Sequence, residues 1–186
     1  MNRYIEFRLL PDPENAVTQI MNVLYGKLHL ALAELGTGDV GVSFPDIEST
    51  RNLGMRLRLH GTADALGRLM RINWTSGMKD YVTQSPVTPV PADATFRSLY
   101  RVQAKSNPER LRRRLMKRHG MDAEMAAVQI PDSAVEMLKL PYLQIKSLSS
   151  GEPFRLFVQI GPVEQEAQSG VFNAYGLSRE ATVPWF

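Results

Sequence analysis

The chain of 186 residues contains no cysteine, which excludes a disulfide framework, thiolate zinc sites and a cysteine nucleophile. It has only three histidines, His29, His60 and His119, too far apart to form a local ligand motif and without a carboxylate at a recognised spacing. Neither a metal nor a cofactor is expected. No apolar run approaches the roughly 18 to 20 residues that a membrane span needs. Met1 to Asn15 alternates charged and apolar residues, unlike the uninterrupted hydrophobic stretch of a secretory signal. A cytoplasmic location is the resulting expectation. The hydrophobic fraction of 44% and charged fraction of 22% are those of a globular chain able to bury its own core.

Acidic residues are scarce in one place. Between positions 101 and 119 stand Arg101, Lys105, Arg110, Arg112, Arg113, Arg114, Lys117 and Arg118, with Glu109 as the sole acid. That stretch carries +7, which leaves −4 on the rest of a chain whose net charge is +3. Positive charge gathered on one element points to a polyanionic partner.

The hydrophobic pattern predicts an α+β protein in two parts. Ile5, Phe7 and Leu9 alternate with Glu6 and Arg8 as on a strand with one buried face, and Pro11-Asp12-Pro13 ends it. From Val17 the positions Ile20, Met21, Leu24, Leu28, Ala31, Leu32 and Leu35 recur at helical spacing up to Gly36. Two strands follow, at Val40, Val42 and Phe44 and at Met55, Leu57 and Leu59. A helix from about Thr62, with Ala65, Leu66, Leu69 and Met70 inward, leads to a weak strand near Tyr81 to Val90. The order β-α-β-β-α-β is that of a ferredoxin-like domain over residues 1–94. Pro86, Pro89 and Pro91 mark its end.

Residues 95–186 are read as a smaller α+β domain. Its expected elements are a strand at Phe96 to Val102, a basic helix over about 108–119, a helix from Asp122 to Ile130 and a helical piece around Ser133 to Leu140. Strands at Tyr142 to Leu148 and Phe154 to Ile160 follow, joined by the turn Ser149-Ser150-Gly151-Glu152-Pro153, with a further strand at Phe172 to Tyr175.

The basic helix has its own start signal: Asn107 as N-cap, Pro108 at the first helical position and Glu109 where the macrodipole favours an acid. Gly120 stops it. At 100° per residue Arg110, Arg113, Arg114, Lys117 and Arg118 share one face, opposite Leu111, Leu115 and Met116. A solvated helix ordinarily mixes signs, whereas these neighbours repel. Arginine outnumbers lysine, which suits bidentate phosphate and guanine contacts. An A-form major groove admits side chains only where the duplex ends, so a helix of this kind fits a short stem-loop.

From Ser98 to His119 the sequence SLYRVQAKSNPERLRRRLMKRH resembles the arginine-rich segment of the type I-F CRISPR-associated hairpin endoribonucleases, the Csy-type members of the repeat-processing family. The resemblance continues, in order, through RLLPDPE, VLYGKLH, GVSFPD, FRLFVQIGP, YGLS and the final VPWF. It implies a CRISPR repeat hairpin as substrate, cleavage on the 3′ side of the stem without metal, retention of the product and membership of a surveillance complex. It matches His29 to the catalytic histidine, Ser147 to the serine that holds the attacking ribose and Tyr175 to an orienting tyrosine. Arg101 and Gln103 match the residues that read the lowest base pairs, Phe154 the aromatic under the terminal pair, and Arg114, Arg118 and His119 backbone contacts. Lys117 stands where arginine is expected. Lys105, Arg110, Arg113, Ser149 and Ser150 complete the expected RNA contacts.

The chemistry is consistent with those residue types. Without metal, the RNA's own 2′-hydroxyl must attack the adjacent phosphate, so the protein supplies a base, a positioning donor and charge stabilisation. Imidazole, ordinarily titrating near 6.5, suits the first role. On the helical wheel His29 flanks the apolar stripe about 120° from its centre. By residue type alone, a helix-edge histidine, a strand-end serine and a tyrosine before glycine are more often structural than catalytic. Arg101 and Gln103, alternating on a strand, would point the same way. A non-catalytic hairpin-binding subunit is the alternative; a basic-helix DNA-binding protein lacks the dimeric helix-turn-helix pattern it would need.

Overall fold

A computed structural model describes residues 1–50, 52–103, 108–131, 138–147 and 151–186, the side chains of 108–110 excepted. The protein is a mixed α/β chain with two antiparallel sheets and, among the described residues, four helices. Contacts divide it into two compact units, Met1–Arg101 with Leu140–Phe186, and Val102–Lys139.

The larger unit begins with β1 (Arg3–Leu9), whose inward residues Ile5, Phe7 and Leu9 are fully buried, as the alternation predicts. Helix α1 (Val17–Leu35) follows. Ala16, its N-cap, has no side-chain acceptor, and Gln19 reaches back to accept from the Ala16 amide at 3.0 Å. β2 (Gly41–Ser43), β3 (Arg56–Gly61), α2 (Ala63–Arg71) and β4 (Val82–Gln84) come next. Thr62 caps α2 by accepting from Ala65 N at 3.1 Å. The sheet order is β2-β3-β1-β4. The weak strand expected at residues 81–90 exists as two pieces, since Pro86 interrupts it. β5 (Thr88–Pro89) pairs separately with β1.

A second sheet in the order β7-β8-β6-β9 is built from β6 (Thr95–Val102), β7 (Tyr142–Lys146), β8 (Pro153–Ile160) and β9 (Ser178–Trp185). The strand expected at Phe172 to Tyr175 is absent. Those residues form a turn, and the last strand lies further on at β9. Four consecutive residues of β9, Ala181 to Pro184, are buried, so it lacks the alternation that reveals a half-buried strand. One hydrophobic cluster runs through both sheets, from Phe7, Leu24 and Leu57 to Leu99, Leu156 and Val183.

The smaller unit holds α3 (Pro108–His119) and α4 (Ala123–Gln129). Asp122 caps α4, accepting from Met125 N at 2.8 Å, and Ala126 packs fully buried. The helical piece expected around Ser133 to Leu140 falls largely on 132–137, outside the described residues, as do Asn107 and Leu148.

Candidate nucleic-acid site

His29 lies on the last third of α1 and is only 4% exposed, deeper than its flanking position on the wheel suggests. A loop 145 residues further along the chain covers it. The Ala174 carbonyl stands 2.8 Å from His29 Nδ1. A carbonyl only accepts, so a neutral His29 carries its proton on Nδ1 and keeps the Nε2 lone pair unprotonated. The Tyr175 ring stacks on the imidazole at 4.2 Å between centroids and 16° between planes.

That loop is held firmly. Asn173 Oδ1 accepts from Tyr175 N at 2.8 Å and from Leu177 N at 3.2 Å, an Asx-type closure of the turn. Tyr25, one helical turn before His29 and fully buried, donates its hydroxyl to the Tyr175 carbonyl at 2.6 Å. Burial pushes the Tyr25 phenol far above its ordinary value, so it remains a donor. Gly176 has φ +67°, and a Cβ there would sit 2.3 Å from a Val42 methyl, so both conformation and space require glycine. Tyr25 and His29 therefore grip successive carbonyls of one turn. Sequence reasoning missed Tyr25 and Asn173; the i, i+4 spacing of Tyr25 and His29 was the only local signal, and their partners are remote.

Ser147 lies one residue beyond β7, with its amide donating to the Glu152 carbonyl at 2.9 Å and its own carbonyl accepting from Gly151 N at 2.9 Å. It lines, with His29, a groove of about 390 Å³ between α1 and β7. Phe154 meets the Tyr175 ring edge-on at 6.5 Å. The Arg101 guanidinium lies 5.1 Å from the Phe154 ring centre and 5.7 Å from that of Tyr175. Arg101 Nε is buried and has no hydrogen-bond partner among the described residues, so a cation with an unused donor sits among aromatic faces. His29, Tyr175, Phe154 and Arg101 are thus brought together, and Ser147 shares the groove.

Gln103 lies one residue beyond β6 and is exposed. In the smaller unit, Arg113, Arg114, Lys117, Arg118 and His119 are all exposed on α3, while Leu111, Leu115 and Met116 are half-buried. Arg112, on the packed side, donates from Nε to the Ile130 carbonyl at 2.8 Å. The helix has one face bound to its neighbour and one covered with cations. The Arg110 side chain, Lys105, Ser149 and Ser150 lie outside the described residues.

His60 is wholly buried, with Nε2 2.7 Å from the Ser43 hydroxyl. Burial first, then the Arg58 charge and the amino terminus, push its imidazole down to about 3. It is a neutral core group.

A buried, orientation-fixed imidazole beside an aromatic and arginine platform, on a chain carrying an exposed arginine helix, has the make-up of a protein that handles nucleic acid. Residues 4–186 match the family described as CRISPR-associated protein (Cas_Csy4), and the chain belongs to that family. It is 47% identical over 187 residues to a CRISPR-associated endonuclease Cas6/Csy4 of Pseudomonas aeruginosa (strain UCBPP-PA14), and 46% identical over 186 residues to one of Escherichia coli (strain UTI89 / UPEC). Each match covers 100% of both chains.

Proposed function

We propose that this chain is an endoribonuclease that processes CRISPR RNA: it binds the repeat hairpin, cuts at the 3′ base of the stem without metal, and retains the product. The observation that carries this reading is the His29 tautomer. With Nδ1–H committed to the Ala174 carbonyl, Nε2 is left to take the proton of a ribose 2′-hydroxyl. The 2′-oxygen then bonds to the adjacent phosphorus as the bond to the 5′-oxygen breaks, and the 5′-oxygen leaves with a proton. The product ends in a 2′,3′-cyclic phosphate. Ser147 holds the ribose, Tyr175 fixes the imidazole plane, and Phe154 stacks under the terminal base pair while Arg101 and Gln103 read the pairs above it. Arg113, Arg114, Lys117, Arg118 and His119, with Lys105, Arg110, Ser149 and Ser150, contact the RNA backbone.

The exposed single-sign face of α3 and the full-length identity to proteins named Cas6/Csy4 endonucleases support this reading. The element order and the strand order β2-β3-β1-β4 support reading residues 1–94 as a ferredoxin-like domain, with 95–186 as the RNA-binding domain. That division is one of topology, because a single core runs through both sheets. Other subunits of a type I-F surveillance complex are the proposed protein partners. No helix among the described residues is long and apolar enough to cross a membrane, consistent with the proposed cytoplasmic location.

The test is incubation of a labelled repeat hairpin with the purified chain in chelator. Cleavage should proceed and leave a cyclic phosphate, and a deoxynucleotide just 5′ of the scissile phosphate should allow binding but block cutting. His29→Ala should slow cleavage by about 10²- to 10⁴-fold while the hairpin still binds. Cutting of the deoxy substrate at the parent rate would refute the mechanism. Tight binding by the parent without any cleavage would leave a non-catalytic hairpin-binding subunit.

A further inference from the structure

The groove that begins at His29 and Ser147 does not end there. It continues along α1 past Lys27, Gly26, Val23 and Asn22, and along β7 past Lys146, Ile145 and Gln144, with Leu30 also in its wall. Its far end is closed by the Gln144 amide, which donates to Asn22 Oδ1 at 2.9 Å. Tyr175, which stacks on His29, and its neighbours Phe154 and Arg101 are not among the residues that line this groove. If the stem rests on that platform, the strand 3′ of the cut must leave the imidazole in another direction, and this groove starts at the imidazole.

Three features of the groove lack an internal explanation. Gly26 stands mid-helix, where glycine is unfavourable relative to alanine, yet a Cβ there would meet nothing within 4 Å. Its missing side chain serves no packing within the protein, and Gly26 lines the groove. Lys27 and Lys146 both line the groove, and among the described residues neither has a carboxylate partner. Val23 and Leu30 are each 52% exposed and flank Gly26, so the walls offer apolar surface to a base or ribose beside the two cations.

We propose that this groove seats the nucleotides immediately 3′ of the scissile phosphate, with Gly26 as floor and Lys27 and Lys146 contacting the leaving strand's phosphates. The assignment rests on the endoribonuclease reading and adds a binding site for the part of the precursor that is released. From His29 to Asn22 the helix rises about 10 Å, which spans about three nucleotides at the 3.4 Å per-strand spacing of stacked bases. Only the uncut precursor fills the groove. Cleavage empties it while the platform and α3 keep the hairpin.

The experiment compares a hairpin ending at the cut site with hairpins extended 3′ by one to eight nucleotides and made uncleavable by a 2′-deoxy substitution. The parent should bind the extended RNA more tightly, with the gain levelling off by about the third added nucleotide. The salt dependence should steepen by about 0.7 in log–log slope for each phosphate neutralised. Lys27→Gln and Lys146→Gln should each remove about one such increment. Gly26→Gln, which fills the floor with a good helix former, should abolish the gain while the thermal midpoint holds or rises. A parent that binds the hairpin but does not distinguish extended from product-length RNA overturns the inference and leaves the endoribonuclease reading standing. So does a gain that keeps growing through all eight nucleotides, or variants that weaken both RNAs equally. A parent that binds no hairpin at all overturns both.

Discussion

At the scale of single residues, the site depends on which atom of each side chain is already committed. His29 Nδ1 is held by a carbonyl, and Arg101 Nε is buried with no partner among the described residues. In the proposed function the Arg101 guanidinium, held beside the Phe154 and Tyr175 rings, reads a closing base pair. Arg101→Ala should therefore lose discrimination among closing base pairs, worth about 1 to 3 kcal/mol for a good bidentate contact. Gln103→Ala should do the same at its own pair. Affinities for a panel of altered stems check this, and an unchanged ranking in both variants would remove the base-reading assignment. The types and positions of His29, Tyr175 and Phe154 were legible in the sequence through the resemblance. The burial of His29 was not, because the wheel counts only contacts within the helix and the covering turn lies 145 residues away.

Among the elements, α1 was readable from end to end because its buried stripe keeps a single period to the Gly36 cap. β9 was not readable, because burial on both faces erased its alternation. The aromatic pair Phe172 and Tyr175 mimicked a strand where Asn173 makes a turn. α3 was readable for a different reason. Its cap residues announce it, and its half-buried Leu111, Leu115 and Met116 stand apart from the cations. The helix keeps like charges together at a cost to its own stability, and in the proposed function those charges meet RNA phosphates. Neutralising Arg113 or Arg114 should weaken all hairpins alike and flatten the salt dependence by about 0.7 to 0.9 in log–log slope per lost phosphate contact. Titration at several salt concentrations tests this, and parental slopes in both variants would remove α3 from the interface.

For the molecule as a whole, the core contains ionisable groups whose cost appears only when pH changes. The alternation of β3 suggested one solvated face, but Arg58 and His60 are buried along with Leu57 and Leu59. Arg58 is held by Glu6 at 2.7 Å and by the Phe186 backbone oxygen at 2.5 Å. Burial first, then the Arg58 charge and the amino terminus, disfavour a proton on the His60 imidazole. Folded, it stays neutral down to about pH 3; unfolded, it takes a proton near its ordinary 6.5. Between those values the unfolded chain binds the extra proton. Stability present above about pH 6.5 should therefore fall as pH drops toward 3, by at most about 1.4 kcal/mol per pH unit for one proton. Asp46, which Arg56 and the Met55 and Arg56 amides hold below its ordinary 3.8 despite the opposing effect of burial, withdraws its stabilisation only at lower pH. Urea denaturation at pH 7, 6, 5 and 4 should show the loss in the parent. His60→Gln, which can still bond Ser43 but cannot titrate, should be less stable at pH 7 and nearly flat down to pH 5. Equal slopes in the two proteins would assign the acid sensitivity to groups other than His60.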